Sequence, residues 1–404
     1  MFASAVKGGS LTGMTGFEWR RALSGFDPGW WGGLGDRRTV LVMVGAPGTG
    51  QPVLDVARLA GTDPRLHVIF TAAPGARAAA VEALLRDAGI APLPWREAEG
   101  GGFGLAVAAT PVSGRVGAPL IVLPGTGPER APGADEPAGA PVVFTYAHAA
   151  DRPAPAGDGT GPAATVVGDS THDRLVASLP LRDFYRRALG VGRHRKLVLV
   201  ALPEAAACGG ARCRWREVLR RLLTELPPRG YHVLGVPEPG PGPCTGGADL
   251  AVHLRGGLGL MPPDADWRAA LVAADWILGP PGPVTRYGTI TGVPVLLTEP
   301  LPDDAARTAG DRPGLLRCAG RLAPSGPVLP QLTEAAAWWR PDRVRPVVAR
   351  ITSEPGRFNR AVRRLMYGLL RLPQPATIPV ADPVSPPFRL PSPAARPANA
   401  CRGG

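Results

Sequence analysis

A stretch around residue 280 constrains the fold of this chain more than any other part of its sequence. Two short apolar runs, at 276–278 and 293–297, have the length and continuity of strands that are covered on both faces. Between them lie a loop rich in glycine and proline, 279–285, and a short helical segment. Covered parallel strands need helical crossovers, so this pattern predicts an α/β fold. The loop follows the carboxyl end of a strand, which is where open α/β sheets bind ligands.

The same pattern continues through most of the chain. Further strand-like runs lie at 39–44, 67–71, 105–109, 120–123, 142–146, 196–202 and 231–236. Segments with the apolar spacing of helices separate several of them, among them 52–61, 76–87 and 214–226. At 404 residues the chain is long enough for two hydrophobic cores. We therefore predict two facing Rossmann-like α/β domains.

The predicted domain boundaries follow changes in composition. An N-terminal arm, 1–37, precedes an N-terminal α/β domain, 38–165, and a C-terminal α/β domain of nucleotide-binding type, 166–335. Basic helices at 336–372 and a proline-rich tail at 373–404 complete the chain. The tail has no periodicity and is predicted to be disordered.

Three stretches are predicted to be turns or loops. A proline-rich loop surrounds Trp95, and a small polar turn at 168–175 separates the two series of strands. A turn-rich segment follows the strand at 293–297 and extends to about residue 330.

The charge of the chain indicates an anionic partner. The formal net charge is +12, and only Lys7 and Lys196 among the basic residues are lysines. Such a charge fits a phosphate-bearing substrate or an acidic membrane surface. Specific binding of nucleic acid is not expected, because no zinc-finger, RNP-type or basic-zipper pattern is present. The segment 357–370 places its apolar residues on one stripe, which is typical either of a helix on an anionic membrane or of a terminal helix packed on the body.

Cysteine usage and hydropathy bear on the compartment. The five cysteines are odd in number and have no CxxC spacing, which favours free thiols and a reducing environment. No metal site is therefore expected. No signal peptide and no run of transmembrane length is identified, so the sequence predicts a cytoplasmic protein, with a peripheral place on the inner face of the membrane as an extension of that hypothesis.

One segment is close to a phosphate-binding loop. Gly45 and Gly50 have the spacing of the G-x-x-x-x-G-K-[ST] pattern. Gln51 replaces the lysine that would bind phosphate, and Pro52 replaces the hydroxyl residue that would bind Mg²⁺. Both chemical groups are missing, so the segment does not predict an NTPase.

Two histidines are candidates for acid–base chemistry. His148 follows the predicted strand 142–146 at its carboxyl end, and His172 lies in the polar turn between the two series. A cleft between two α/β domains would bring such ends together, where a histidine can act as a general base or donate to a phosphate. The alternative for each is an ordinary loop histidine.

The pattern D-W-x-x-x-L-x-A-A-D-x-x-x-G-x-x-G-x-V-T-x-Y-x-x-x-x-G-V-P-V-L-L from Asp266 resembles a known family. It is similar to the C-terminal domain of the actinobacterial CDP-glycerol glycerophosphotransferase-like family, whose members have the two-domain GT-B fold. The segments VVGDSTHDRLVASLPLRDFYRRALGV, LPPRGYHVLGV and SEPGRFNRAVRRLMYGLLRLP fit the same family, so the resemblance covers roughly 39–372.

The chain departs from this family at its catalytic motifs. Where the family has a His-Gly loop, this sequence reads LPGTG at 123–127, and where it has His-Pro-Asn, it reads Pro-Glu-Pro at 237–239. The family's Asp-His-Gly-Ser-Val-Thr loop reads Pro-Pro-Gly-Pro-Val-Thr at 280–285. A Ser-His pair becomes Ala147-His148, so one histidine is kept. Proline supplies neither an N–H donor nor a polar side chain, so these changes remove groups that transfer chemistry needs.

The resemblance and the loop positions together imply a set of site residues. His148 and His172 are the catalytic candidates. The candidates for nucleotide or phosphate binding are Gly125, Gly168, Asp169, Gly282, Thr285, Arg286, Tyr287 and Glu299. No cofactor or metal is expected. The implied ligands are a nucleotide-linked donor, CDP-glycerol or a nucleotide sugar, and a polyol or sugar acceptor, as in the synthesis of teichoic-acid-type polymers.

Three interpretations of function remain open at this level. The first is a GT-B-like homologue of nucleotide-dependent glycerophospho- or glycosyltransferases with weakened or lost catalysis. The second is an active transferase with a rearranged site, which would use His148, Asp169, His172, Thr285 and arginines such as Arg286. The third is a non-catalytic protein that binds a membrane surface through its basic terminal helix.

Overall fold

The computed structural model describes residues 38–45, 50–75, 77–87, 89–109, 116–124, 140–154, 163–203, 214–239, 247–262, 265–298, 312–377 and 379–386. The arm predicted at 1–37 and the end of the tail, 387–404, lie outside these ranges, as do the candidate site residues Gly125 and Glu299.

Twelve strands form two parallel sheets in the described part of the chain. In the N-terminal sheet they are β1 (Arg38–Val44), β2 (Leu66–Ala72), β3 (Leu105–Ala108), β4 (Leu120–Val122), β5 (Val142–Tyr146) and β6 (Ala163–Val166). In the C-terminal sheet they are β7 (Lys196–Leu202), β8 (Tyr231–Pro237), β9 (Gly259–Leu260), β10 (Trp276–Gly279), β11 (Val295–Leu297) and β12 (Gly320–Arg321).

The helices connect these strands and cover both sheets. They are α1 (Gln51–Gly61), α2 (Ala78–Asp87), α3 (Trp95–Gly100), α4 (Ser170–Ser178), α5 (Arg182–Ala188), α6 (Arg214–Glu225), α7 (Gly247–Arg255), α8 (Trp267–Ala273), α9 (Pro283–Gly288), α10 (Arg312–Cys318), α11 (Val328–Trp338), α12 (Pro341–Ile351) and α13 (Phe358–Leu370). Short 3₁₀ turns follow β5, α4 and α9.

The strand order places one reversal in each sheet. The N-terminal sheet has the order β2-β1-β3-β4-β5-β6, and the C-terminal sheet has the order β12-β11-β10-β7-β8-β9. In the N-terminal sheet, the strand that follows β1 lies on one side of the β1–β3 pair and the strands that follow β3 lie on the other. In the C-terminal sheet, the strands after β7 and those after β10 likewise lie on opposite sides of the β7–β10 pair. Such points open a crevice at the carboxyl ends of the strands. The prediction of two facing Rossmann-like α/β domains is confirmed.

Side chains along each strand point alternately to the two faces of the sheet, so each sheet has a hydrophobic core on both faces. In β7, Leu197 and Leu199 contribute to one cluster of buried residues, whereas Val198 and Val200 contribute to another. In β1, Val40 and the other even-numbered residues face a different cluster from the odd-numbered ones. Because helices cover both faces, both sets of side chains are apolar, which explains the continuous apolar runs in the sequence.

Three predictions of irregular structure are wrong. The stretch at Trp95 contains helix α3, and the turn-rich segment that extends to about residue 330 contains α10 and the start of α11. The polar turn at 168–175 is largely helix α4, which begins after Asp169. Its polar residues at 170–174 are buried, and Asp173 and Arg174 pair with distant parts of the chain, so the start of α4 has no solvated polar face to mark it as a helix.

The terminal helix α13 belongs to the N-terminal core. Phe358, Val362 and Met366 join the cluster formed by β1, α1 and β3. The chain thus returns from the C-terminal sheet to the N-terminal one between α12 and α13. The apolar stripe of α13 is covered by protein, as in the second interpretation of this segment, and Arg360 and Arg364 are exposed on its other side.

The tail is docked on the body as far as the structure describes it. Residues 373–377 and 379–386 form no helix or strand. Nevertheless, Asn359 donates to the carbonyl of Val380 at 2.8 Å, and Val384 is only 3% exposed. The prediction of disorder is therefore wrong for this part of the tail.

None of the helices in the described ranges combines the length and the hydropathy that crossing a bilayer requires.

The packing of α13 gives a first prediction. Met366 is fully buried against the N-terminal sheet, so Met366→Ala leaves a cavity and should lower the free energy of unfolding by about 2–5 kcal/mol. Equilibrium denaturation in urea measures this change. Arg364→Ala, two residues earlier on the exposed side of α13, is the matched control and should change the value by no more than about 0.5 kcal/mol. Equal effects of the two substitutions would contradict the packing described.

Candidate functional site

The glycine–proline loop lies at the reversal of the C-terminal sheet. β10 pairs with β7 on one side and with β11 on the other, and residues 280–282 leave its carboxyl end. The two strands approach closely here, because a Cβ placed on Gly279 would lie 2.5 Å from Cβ of Ala201. Only glycine fits this position. The loop therefore occupies the crevice where a ligand of an open α/β sheet is expected.

The hydroxyl of Thr285 is used to hold the loop. Its Oγ1 accepts a hydrogen bond from Gly282 N at 3.0 Å and donates to the carbonyl of Pro280 at 2.8 Å. The side chain is fully buried. A hydroxyl has one proton to donate, so the bond to Pro280 uses its donor capacity. Thr285 fixes the shape of the loop rather than facing the crevice.

A carboxylate that follows β8, two strands away from β10 in the sheet, caps the helix that follows the loop. Glu238, which comes directly after β8, accepts a hydrogen bond through Oε2 from Val284 N at 3.1 Å. A Cβ placed on Gly282 would lie 2.7 Å from Oε1 of Glu238, so the carboxylate lies directly against the loop. The first turn of a helix favours negative charge. Here the protein itself supplies that charge.

Asp169 and Tyr287 form a buried pair. Asp169 Oδ1 accepts from His172 N at 2.8 Å as the N-cap of α4, and Oδ2 accepts from the Tyr287 hydroxyl at 2.5 Å. Burial raises the pKa of Tyr287, and the negative charge of Asp169 raises it further. Tyr287 is 1% exposed, so this pair fastens α9 to α4.

Gly168 and His172 also have protein partners. Gly168 has a φ of +89°, and a Cβ there would lie 2.9 Å from the carbonyl of Glu354, so glycine is required for the close approach of two segments. His172 Nδ1 lies 3.0 Å from Asp173 Oδ1. The carboxylate of Asp173 in turn accepts from Phe358 N, at the start of α13, at 3.0 Å.

His148 and Arg286 are the predicted site residues with half-buried side chains. His148 Nδ1 accepts from Ala150 N at 3.0 Å, which places the proton of the neutral ring on Nε2. Both residues lie close to Asp151. A hydrogen bond from Arg350 lowers the pKa of Asp151, and the charges of Arg350 and Arg286 lower it further. Asp151, three residues after His148 in the N-terminal domain, therefore lies within electrostatic range of Arg286 from α9.

A buried network of charges joins the two domains and was not predicted from the sequence. Asp55, in α1, accepts from Arg174 Nη1 at 2.5 Å and from Arg268 Nη1 at 3.2 Å. Arg268 is fully buried and also donates to both carboxylate oxygens of Asp266 at 2.8 Å. Burial alone would raise the pKa of Asp55, but the charges of Arg174, Arg268 and Arg58 outweigh it and lower the pKa to about 2. The sequence signal is a lone acid within the apolar helix PVLDVARLA.

The described residues offer no metal site. Among them, no group of three or more His, Cys, Asp or Glu side chains is arranged to hold a metal ion.

Neither a protein-family model nor a curated protein matches the sequence. Solved structures match its fold. A variant of the wall teichoic acid polymerase TagF superposes with a TM-score of 0.55 at 11% identity, over 83% of this chain and 90% of the polymerase chain. The variant after a 30-minute soak with CDPG gives a TM-score of 0.52 at 11% identity, over 83% and 89%. The UDP co-structure of S. aureus MnaA gives 0.46 at 11% identity, over 85% and 100%.

The superposition on TagF identifies the fold. At 11% identity it covers both sheets and nearly the whole polymerase chain, so the two parallel sheets of this protein have the GT-B arrangement.

The Asp169–Tyr287 pair gives a second prediction. Tyr287→Phe removes the hydroxyl but keeps the ring, which leaves a buried carboxylate oxygen without its donor and should lower the free energy of unfolding by about 1–3 kcal/mol. Differential scanning calorimetry measures the change. Tyr231→Phe, at the half-buried start of β8, is the control. A Tyr287→Phe variant as stable as the native chain would show that the hydrogen bond contributes nothing.

The charge network gives a third prediction. The pKa of Asp55 is below its ordinary value in the folded state, so its contribution to stability is complete above about pH 4 and is lost as the pH falls toward 2. Asp55→Asn should lower the free energy of unfolding by about 3–5 kcal/mol at pH 7, because two buried arginines lose their shared partner. Between pH 4 and 2, its stability should fall less steeply than that of the native chain. Curves of unfolding free energy against pH that run parallel for Asp55→Asn and the native chain between pH 4 and 2 would exclude Asp55 as a contributor to stability.

Proposed function

We propose that this protein is a homologue of nucleotide-dependent glycerophospho- or glycosyltransferases in which donor binding is weakened and transfer activity is lost. The TagF-like fold supports the first part of the proposal. The second part rests on the loop after β10, where the carboxylate of Glu238 lies against Gly282 and caps α9.

The charge of Glu238 opposes a donor phosphate at the crevice. A pyrophosphate bound at the start of α9 would meet a carboxylate that already accepts the Val284 N–H. Like charges at such distances repel, most strongly where water is excluded. In the resembling family this position carries proline, which has no charge. The change from proline to an acid thus acts against donor binding, as the prolines of the loop do.

The polar residues that remain at the crevice are engaged elsewhere. Thr285 bonds to the backbone of its own loop, and Tyr287 bonds to Asp169. His172 is buried beside Asp173. Transfer to an acceptor hydroxyl needs a base within reach of that hydroxyl and donors that face the developing charge. Groups other than Thr285, Tyr287 and His172 would therefore have to act as the base and as the donors.

An active transferase with a rearranged site is the second candidate. It is favoured by two half-buried side chains, His148, which is a candidate base, and Arg286, which is a candidate phosphate ligand and acts electrostatically on nearby Asp151. TagF has been solved after a soak with CDPG, so CDP-glycerol and nucleotide sugars are the donors to try. A polyol or sugar would be the acceptor.

Membrane-surface binding is the third candidate, and its support is narrower. The apolar stripe of α13 is buried in the N-terminal core, so insertion of that stripe into a membrane is not supported. Only the exposed arginines of the helix, Arg360 and Arg364, would face an anionic surface.

A donor-turnover assay tests the proposal. The purified protein is incubated with labelled CDP-glycerol, UDP-sugars and GDP-sugars, and the release of CMP, UDP and GDP is followed beside a His148→Ala variant. We expect equal release by the two proteins. Release by the native chain above that of His148→Ala would contradict the loss of activity and would support the rearranged site.

A binding assay tests the role of Glu238. Glu238→Gln keeps an oxygen that can accept from Val284 N but removes the charge, so it should bind a nucleotide diphosphate donor about five- to tenfold more tightly, as expected for the removal of about 1 kcal/mol of repulsion. Thermal shifts measured against donor concentration give the affinity. Glu217→Gln, on the exposed face of α6, is the matched control and should bind as the native chain does. Equal affinities of all three proteins would exclude Glu238 as the obstacle.

A further inference from the structure

The chain passes between the two domains three times within its described residues. The first passage leads from β6 to α4, and the second leads from α12 to α13. The third lies in the tail after α13, where no helix or strand is formed. The first two passages are adjacent, because Gly168 approaches the carbonyl of Glu354. Two adjacent passages resemble a hinge, which leaves rotation between the domains open.

The tail begins on the N-terminal domain. Arg65, just before β2, donates to the carbonyl of Pro373 at 3.0 Å. Arg363 of α13 donates to the carbonyl of Thr377, and Asn359 of α13 donates to that of Val380. All three donors belong to the N-terminal domain, because α13 packs in the core of that domain.

The described part of the tail reaches the C-terminal domain. The side chain of Val384 is buried in the core that contains Tyr185, Leu197 and Leu271. The Tyr185 hydroxyl donates to the carbonyl of Val384 at 2.7 Å, and Val384 N donates to Ser178 Oγ at 2.9 Å. One apolar side chain and two hydrogen bonds therefore anchor this end, whereas Val380 is 76% exposed.

Arg174 connects this anchor to the charge network. Its Nε donates to the carbonyl of Asp382 at 3.0 Å, and its Nη2 donates to that of Pro383 at 2.8 Å. Its Nη1 donates to Asp55 of the N-terminal domain. The tail thus completes the hydrogen bonding of the arginine that ties the domains together, and it holds the guanidinium in the orientation that reaches Asp55.

We propose that residues 379–386, here called the strap, lock the two domains in one relative orientation, and that withdrawal of Val384 from its site releases them. The strap is anchored on both domains by contacts separate from the hinge. Because the strap connects the two domains away from the two passages that form the hinge, it restricts rotation of the domains about that hinge. The lock is reversible in principle, because the strap is held by a single buried side chain and a few hydrogen bonds rather than by a sheet or a helix. It does not depend on whether the protein has transferase activity.

Two truncated chains test the proposal. One ends at Thr377 and lacks the strap, and the other ends at Pro386 and keeps it. Hydrogen exchange is followed in the second passage, where the amides of Gly356 and Phe358 donate to Asp173. Without the strap, exchange there should be about tenfold faster, as expected for the loss of one or two net hydrogen bonds, while the amides of β1 and β7 keep their rates. Small-angle X-ray scattering should show a larger radius of gyration for the shorter chain.

Point variants provide the same test without truncation. Val384→Asn places an amide in the buried site, whereas Val380→Asn makes the same change four residues earlier at an exposed position. Val384→Asn should reproduce the faster exchange and the larger radius, and Val380→Asn should not. A peptide of residues 378–386 added to the chain that ends at Thr377 should restore the slower exchange.

Three results would overturn the proposal. Exchange in the second passage that is unchanged by removal of the strap would exclude a lock. Exchange that rises equally in the passage, β1 and β7 would show that the strap stabilises the whole fold and does not hold the domain orientation. Identical behaviour of Val384→Asn and Val380→Asn would lead to the same conclusion.

Discussion

The carboxylate of Asp55 is the contact on which the arrangement of the two domains depends. It projects from α1 of the N-terminal domain and forms ion pairs with two buried arginines, one in α4 and one in α8. Buried ion pairs contribute little net stability relative to apolar contacts, because desolvation opposes their attraction. Separating them without a replacement partner is strongly unfavourable. Such a network therefore discriminates between domain orientations more than it stabilises any one of them, since most rotations would leave charges buried and unpaired.

This constraint extends to the crevice of the C-terminal sheet. Asp169 begins α4, the helix that carries Arg174, and it also accepts from Tyr287 in α9, the helix that follows the glycine–proline loop. The loop, the connecting helix and the domain contact are thus one continuous set of hydrogen bonds. In such a set, a side chain used for internal contacts is unavailable to a ligand. The arrangement at Thr285, Tyr287 and Glu238 is that of a crevice filled by the protein's own polar groups.

The sequence predicts the strands well and the buried polar contacts poorly, for a physical reason. Strands such as β7 lie between two layers of helices, so every side chain is apolar and the run is visible without any knowledge of its neighbours. Helix α4 is buried through pairs formed with distant residues, such as Arg174 with Asp55, and its polar sequence resembles a turn. The approach of Glu238 to Gly282 likewise joins two positions that are far apart in the sequence, the end of β8 and the loop after β10. The strands β9 and β12, of two residues each, are too short to form a pattern.

The return of α13 to the N-terminal domain also affects how the protein is made. The core beneath β1 and α1 is completed by Phe358, Met366 and Tyr367, which are synthesised long after β6. At roughly 5–20 residues per second, the N-terminal sheet waits on the order of ten seconds or more for its last helix. During that interval an apolar face of a parallel sheet is uncovered, which is the kind of surface that aggregates. We therefore expect the newly made N-terminal half to be a substrate for chaperones until the C-terminal helix is complete.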